Sequence, residues 1–232
     1  MEDYGYIIEN LTSICNEIRA LGESVGRDIT LVAVTKSGSD EELLALAEAG
    51  VTDIGENRPG ELRRRGDLLR ERGYAPSLHE IGNLQRNKVK LIIESVSLIH
   101  SLDNLRLAEE ISRQAVTCGR RVPVLIEVNS AREEQKDGVM PDMAEQLFED
   151  IRSLPGIEVV GLMTMGPVCE DAEMLRPYFR ATRELFDRMN EKYAFRDGGI
   201  LSMGMSDSYR VAIEEGSTLV RIGRRFFEKN KS

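Results

Sequence analysis

Between residues 30 and 222 the chain carries eight short apolar runs separated by longer stretches of helical spacing, and that alternation leaves few folds open. The runs fall at 30–35, 52–55, 78–82, 97–101, 122–129, 157–163, 200–203 and 218–222. Short strands alternating with helices predict crossover units and a parallel sheet. Several runs are apolar on both faces, as strands covered by helices must be. Eight consecutive β-α units of one hand favour closure over an open sheet. The expected fold is therefore α/β, a single (β/α)8 TIM-type barrel with an extra N-terminal helix. No Gly/Ser linker or repeat divides it, so residues 1–232 are read as one domain, with 1–29 the helix and lead-in and 30–232 the barrel.

The helices have readable ends. Ser39-Asp-Glu-Glu42 is a capping box, and Gly50 can take the left-handed conformation that stops the helix it starts. After Asp171, residues Leu175, Tyr178, Phe179, Thr182, Leu185, Phe186 and Met189 recur at steps of three and four, the spacing of an outer helix. Ile8, Leu11, Ile14, Cys15, Ile18 and Leu21 share one side of a helix ahead of the first strand, expected to close the barrel bottom.

Composition excludes several classes. Trp is absent and aromatics are 5%, so the core must be aliphatic. A net charge of -9 without a basic tail gives a nucleic-acid backbone nothing to bind. Arg63, Arg64 and Arg65 read as a solvated helix face. The three cysteines, Cys15, Cys118 and Cys169, have neither disulfide nor zinc spacing, and no metal site is expected. The amino terminus lacks a secretory pattern, and no stretch is long and apolar enough to span a membrane. A cytoplasmic monomer with reduced thiols is expected.

Barrels of this type collect their chemistry at the carboxyl ends of the strands. Lys36 closes the first run, Asn57 follows the second, Met203-Gly-Met-Ser206 follows the seventh, and Arg221-Ile-Gly-Arg224 ends the eighth. Loops after strands seven and eight often hold phosphate, and Ser206 precedes a helical stretch at 207–215 whose first N-H groups could face an anion. Gly204 and Gly223 let the backbone approach. Lys36, near the cation Arg221, could be an amine nucleophile. Alone it would read first as a solvated residue beginning a loop, and the phosphate seat opposite it changes that reading. His79 and His100 lie inside apolar runs without a matching ligand or nucleophile set, which predicts buried, hydrogen-bonded histidines.

An amine opposite a phosphate seat suits pyridoxal 5'-phosphate, a phosphorylated aldehyde. The strings Ala33-Val-Thr-Lys36, Asp53-Ile-Gly-Glu-Asn-Arg58, Ile81-Gly-Asn-Leu-Gln-Arg-Asn-Lys88, Gly161-Leu-Met-Thr164, Leu201-Ser-Met-Gly-Met-Ser206 and Ala212-Ile-Glu-Glu-Gly-Ser-Thr-Leu-Val-Arg-Ile-Gly223 resemble the pyridoxal phosphate homeostasis (PLP-binding) protein family, related to the alanine racemase barrel domain. That resemblance implies Lys36 as the Schiff-base lysine and Asn57 near the ring. It implies Ser206 and Gly223 on the phosphate, Arg221 at the pyridine nitrogen, and Met203 and Gly204 along the wall. Position 224 departs from the family's small hydroxyl residue and position 83 from its frequent histidine; Arg224 either binds the phosphate or points outward.

The resemblance implies a protein that holds or delivers cofactor in vitamin B6 homeostasis, with transient contact to PLP-dependent apoenzymes. A low-rate amino-acid racemase and a Schiff-base aldolase are the enzymatic alternatives. Arginine at the ring nitrogen weakens the ring as an electron sink, and Tyr74, Tyr178 and Tyr209 fall in or beside helices, away from Lys36.

Overall fold

A computed structural model describes residues 4–229. Its eight strands, β1 (Thr30–Val34), β2 (Asp53–Glu56), β3 (Ser77–Glu80), β4 (Leu98–Leu102), β5 (Val122–Glu127), β6 (Ile157–Met163), β7 (Ile200–Ser202) and β8 (Leu219–Ile222), close into one parallel barrel in chain order. Each expected strand lies within about two residues of its apolar run, because parallel strands covered on both faces are read directly from apolar continuity.

The helices are α1 (Gly5–Val25), α2 (Asp40–Glu48), α3 (Pro59–Glu71), α4 (Val89–Ile92), α5 (Leu105–Thr117), α6 (Ala144–Ile151), α7 (Arg176–Tyr193), α8 (Tyr209–Glu214) and α9 (Arg224–Phe227). The capping box of α2 is formed, with the Ser39 hydroxyl accepting from Glu42 N-H and the Glu42 carboxylate accepting from Ser39 N-H. Gly50 follows with φ +91°, the left-handed conformation anticipated from its side-chain-free backbone.

The placement of α1 corrects the expectation that it plugs the barrel bottom. It packs against α2, α8 and α9, filling the outer ring between the last and first strands. The short α9 leaves room on the flank of β8 and β1, and α1 occupies it. Asn10 donates to the carbonyls of Phe226 and Glu228, and the Glu17 carboxylate accepts from Tyr209, Arg210 and Arg225, which fixes α1 along its length.

Strand alternation sorts the core into two compartments. Ala33, Ile54, Leu78, Ile99, Val124, Ile126, Leu162, Leu201, Val220 and Ile222 face the helices. Val32, Leu98, Leu125, Val160, Met163 and Leu219 form a separate cluster inside the barrel. Both are dominated by aliphatic residues, as a Trp-free chain requires, and each fully buried aliphatic side chain contributes about 1.5–3 kcal/mol. Gly161, at φ +151°, accommodates the irregular register between β5 and β6.

Candidate functional site at the barrel mouth

The inward faces of the strands bring polar residues above the apolar floor. The register pairs Arg221 with inward Val32 and Ser202 with inward Leu219, so Arg221 and Ser202 also point inward. Arg221 is buried, donating from Nη1 to Ser202 Oγ at 2.5 Å and from Nη2 to the Thr164 carbonyl at 3.2 Å. Burial, partly offset by Glu127, lowers its pKa to about 10, which leaves it cationic at neutral pH. Two bonds leave further donors of the guanidinium fork for a ligand.

Below Arg221 runs a chain of side chains. His100 Nδ1 lies 3.0 Å from Ser202 Oγ, His79 Nδ1 lies 3.0 Å from His100 Nε2, and Asp53 Oδ1 lies 3.0 Å from His79 Nε2. The expectation of buried, hydrogen-bonded histidines holds, and no metal-holding cluster occurs among the described residues. Asp53, Ser202 and Thr164 entered the sequence reading only as members of motif strings. For Asp53 and Ser202 the signal was a polar residue at an inward position inside an apolar run; Thr164, just beyond its run, acts through its backbone carbonyl and carried no such signal.

Lys36 follows β1 in an exposed turn closed by Gly38 N-H donating to the Thr35 carbonyl at 2.9 Å. Arg65 on α3 holds that turn from behind. Its Nη1 pairs with Glu56 at 2.7 Å and also donates to the Thr35 carbonyl, and its Nη2 donates to the Gly38 carbonyl at 2.6 Å. Thr35 adds its hydroxyl to Glu56 at 2.5 Å. Reading Arg65 as part of a solvated face was therefore wrong, because α3 turns it inward to an acid at the end of β2; Arg63 and Arg64 are exposed as expected.

Asn57 is exposed just after β2, where its carbonyl lies 2.3 Å from the position a Gly82 Cβ would occupy. That approach draws the loops after β2 and β3 together. Ser206 lies in the turn before α8, and its hydroxyl accepts from Gly223 N-H at 3.2 Å, joining the loops after β7 and β8. The helix begins later than the 207–215 expectation, with Ser208 at its cap, because Ser208 Oγ accepts from Met205 N-H and folds the preceding residues into a turn.

Met203, Gly204 and Arg224 are placed by the strand ends and loops that carry them. Met203 turns its side chain into the outer core, so it does not line the mouth; one position along from inward Ser202, strand alternation sends it outward. Gly204 is held at φ +92° with Tyr209 and Ala212 against it, which leaves no room for a side chain. Arg224 pairs with Asp207, both side chains being exposed at 68% and 77%, which is its outward alternative.

Glu127 also faces inward, opposite Met163 in the register. Burial, with Asp103 and Asp137 nearby, raises its pKa to about 7 against the opposing pull of Arg221. A primary amine, a guanidinium, and a hydroxyl beside a backbone N-H on the neighbouring loops form a donor set that fits a phosphorylated aldehyde with a ring acceptor.

A closed eight-stranded barrel with this mouth defines the class: the chain belongs to the alanine racemase N-terminal domain family, which matches residues 10–228. Within that class it is similar to proteins described as pyridoxal phosphate homeostasis proteins. The one from Aquifex aeolicus (strain VF5) is 40% identical over 226 residues, covering 96% of this chain and 98% of the relative. The structure of PipY from Synechococcus elongatus PCC7942 with PLP bound has a TM-score of 0.82 at 25% identity, covering 96% of this chain and 100% of PipY. Alanine racemase of Clostridium difficile 630 shares the fold, with a TM-score of 0.74 at 19% identity over 97% of this chain and 61% of the racemase.

Proposed function

We propose that the chain binds pyridoxal 5'-phosphate through an imine on Lys36 and serves vitamin B6 homeostasis, holding the cofactor and releasing it to apoenzymes in the cytoplasm. The observation that carries this reading is the buried, cationic Arg221 fixed inside a mouth whose rim bears Lys36. Bound pyridoxal phosphate supplies the aldehyde carbon and an electron-withdrawing ring. Lys36 supplies the amine, and water leaves as the imine closes. Ser206 and Gly223 N-H are the proposed phosphate contacts, Asn57 flanks the ring, and Arg221 donates to the ring nitrogen. A cation there disfavours protonation of that nitrogen and weakens the ring's capacity to accept electrons. Binding is therefore favoured over transamination or decarboxylation.

The relatives described as pyridoxal phosphate homeostasis proteins and PipY with PLP bound support this assignment. Racemisation needs a second acid-base group facing the lysine. Tyr209 is engaged with Glu17 on α1, on the outer side of the barrel. Glu127 favours a second reading, a slow racemase, because β5 lies across the closed barrel from β1 and its carboxyl titrates near neutrality.

Borohydride treatment of the loaded protein, followed by peptide mass analysis, is expected to place a pyridoxyl group on Lys36, with none in Lys36→Ala. A wild-type chain that acquires neither colour nor label after incubation with cofactor refutes the binding assignment. Exchange of the α-proton of L-alanine in deuterated buffer, lost in Glu127→Gln with cofactor retained, would establish the racemase instead.

A further inference from the structure

Every bond in the interior chain from Asp53 to Arg221 has a direction that chemistry can assign. The Asp53 carboxyl is held below its usual range: burial works against this, but hydrogen bonds from His79 and Thr52 prevail. An ionised carboxylate only accepts, so His79 Nε2 carries the proton. Burial, with the Arg221 cation nearby, holds His100 well below the usual imidazole range, so His100 is neutral and has one N-H. Among the described residues the Ser202 hydroxyl, which accepts from Arg221, meets no acceptor other than His100 Nδ1, so it donates there and the single His100 proton sits on Nε2. His79 Nδ1 must then accept from His100 Nε2-H, and His100 Nδ1 must accept from the Ser202 hydroxyl. The Ser202 oxygen in turn accepts from Arg221. All four donors point the same way, from the guanidinium to the carboxylate.

We propose that Asp53, His79, His100 and Ser202 form a one-directional hydrogen-bond relay that fixes the orientation of the Arg221 guanidinium, making them positioning residues for whatever Arg221 holds. The relay crosses the barrel interior from the amino end of β2, where the Asp53 side chain is 20% exposed, to the floor of the mouth. None of its four members needs to touch a ligand. Each buried polar atom is satisfied by the next, and the terminal negative charge polarises the series toward the arginine. The Thr164 carbonyl fixes the second arm of the fork, so the guanidinium plane has two anchors. The consequence for a bound pyridine ring rests on the proposed cofactor site, whereas the relay is a property of the unloaded chain.

The test therefore has two arms. In the unloaded protein at pH 8, long-range proton–nitrogen correlation spectra should show both imidazoles neutral and protonated at Nε2. An Nδ1-H form of His100 or a doubly protonated His79 would overturn the proposal. Asp53→Ala should shift the tautomer balance of His100, which does not contact residue 53, and alter the Arg221 side-chain N-H signals. If Asp53→Ala does not fold, Ser202→Ala should alter the Arg221 signals while His79 stays protonated at Nε2. Unchanged Arg221 signals in a folded variant overturn the relay.

In the loaded protein the same variant should release pyridoxal phosphate roughly tenfold faster, the scale of losing one hydrogen bond to a charged group. Unaltered release would mean that Arg221 holds its orientation without the relay. Failure of the wild-type chain to take up cofactor would refute the cofactor site, leaving the tautomer arm to decide the relay.

Discussion

Removing the Arg65 side chain tests how the lysine turn is held. Arg65 and Glu56 form an ion pair at 2.7 Å whose side chains are 8% and 2% exposed. In Arg65→Ala the Glu56 carboxylate would stay buried with the Thr35 hydroxyl as its remaining close partner, and the carbonyls of Thr35 and Gly38 would lose their guanidinium donor. Breaking a buried pair from one side costs about 3–5 kcal/mol, because the stranded charge cannot return to water. For a chain of this size each kcal/mol lowers the melting temperature by about 2–4 °C, so a fall of about 6–20 °C is expected. Urea and thermal denaturation followed by circular dichroism measure it, and hydrogen exchange should rise at residues 36–38. Replacing both partners by methionine should recover most of the loss, since a well-packed apolar pair is often as stable as a buried ion pair. A loss below about 1 kcal/mol, the range of an exposed pair, would refute the clamp.

Further predictions concern pH, the anion seat and the backbone. Glu80 is buried, and this, opposed by Gly82 N-H and reinforced by Glu56, raises its pKa to about 8. Between its unfolded value near 4.5 and about 8 the folded state binds the extra proton, so this group's contribution falls as pH rises, by at most about 1.4 kcal/mol per pH unit. Glu80→Gln should flatten the decline in denaturation curves across that window; an unchanged slope would show that Glu80 ionises normally. Ser206→Ala should weaken cofactor retention more than Arg224→Ala, measured by dialysis and absorbance, since Arg224 is engaged with Asp207. The reverse order would place the arginine on the phosphate. Gly161→Ala should destabilise by at least about 2 kcal/mol, because φ is +151° and an added Cβ would lie 1.9 Å from the Ile200 carbonyl oxygen; a near-neutral melting shift would contradict that geometry.

Much of the barrel was legible in the residues because strand and helix periodicities are local. Apolar runs at 30–35 and 157–163 announce strands whatever their neighbours do, and Ser39 with Glu42 caps its helix through bonds three residues apart. Ser206 shows where local reading stopped. A serine before a helical pattern looks like a cap, yet its hydroxyl accepts from Gly223 across the neighbouring loop. Arg65 was less legible still, since three consecutive arginines give no sign of which one α3 turns inward.

What the sequence by itself determined was the alternation of elements, the aliphatic core, and the placing of Lys36, Asn57, Ser206, Arg221 and Gly223 at or just beyond the ends of their strands. Only closure of the barrel decided that Asp53, His79, His100, Ser202 and Arg221, drawn from five strands, would meet in one chain of hydrogen bonds. It also decided that α1 would fill the gap beside α9 and that Met203 would face away from the mouth. The reason is physical: periodicity fixes which way a side chain points from its own strand, but the partner it meets depends on strand register and on closure across the barrel, and both arise from contacts between residues far apart in the chain.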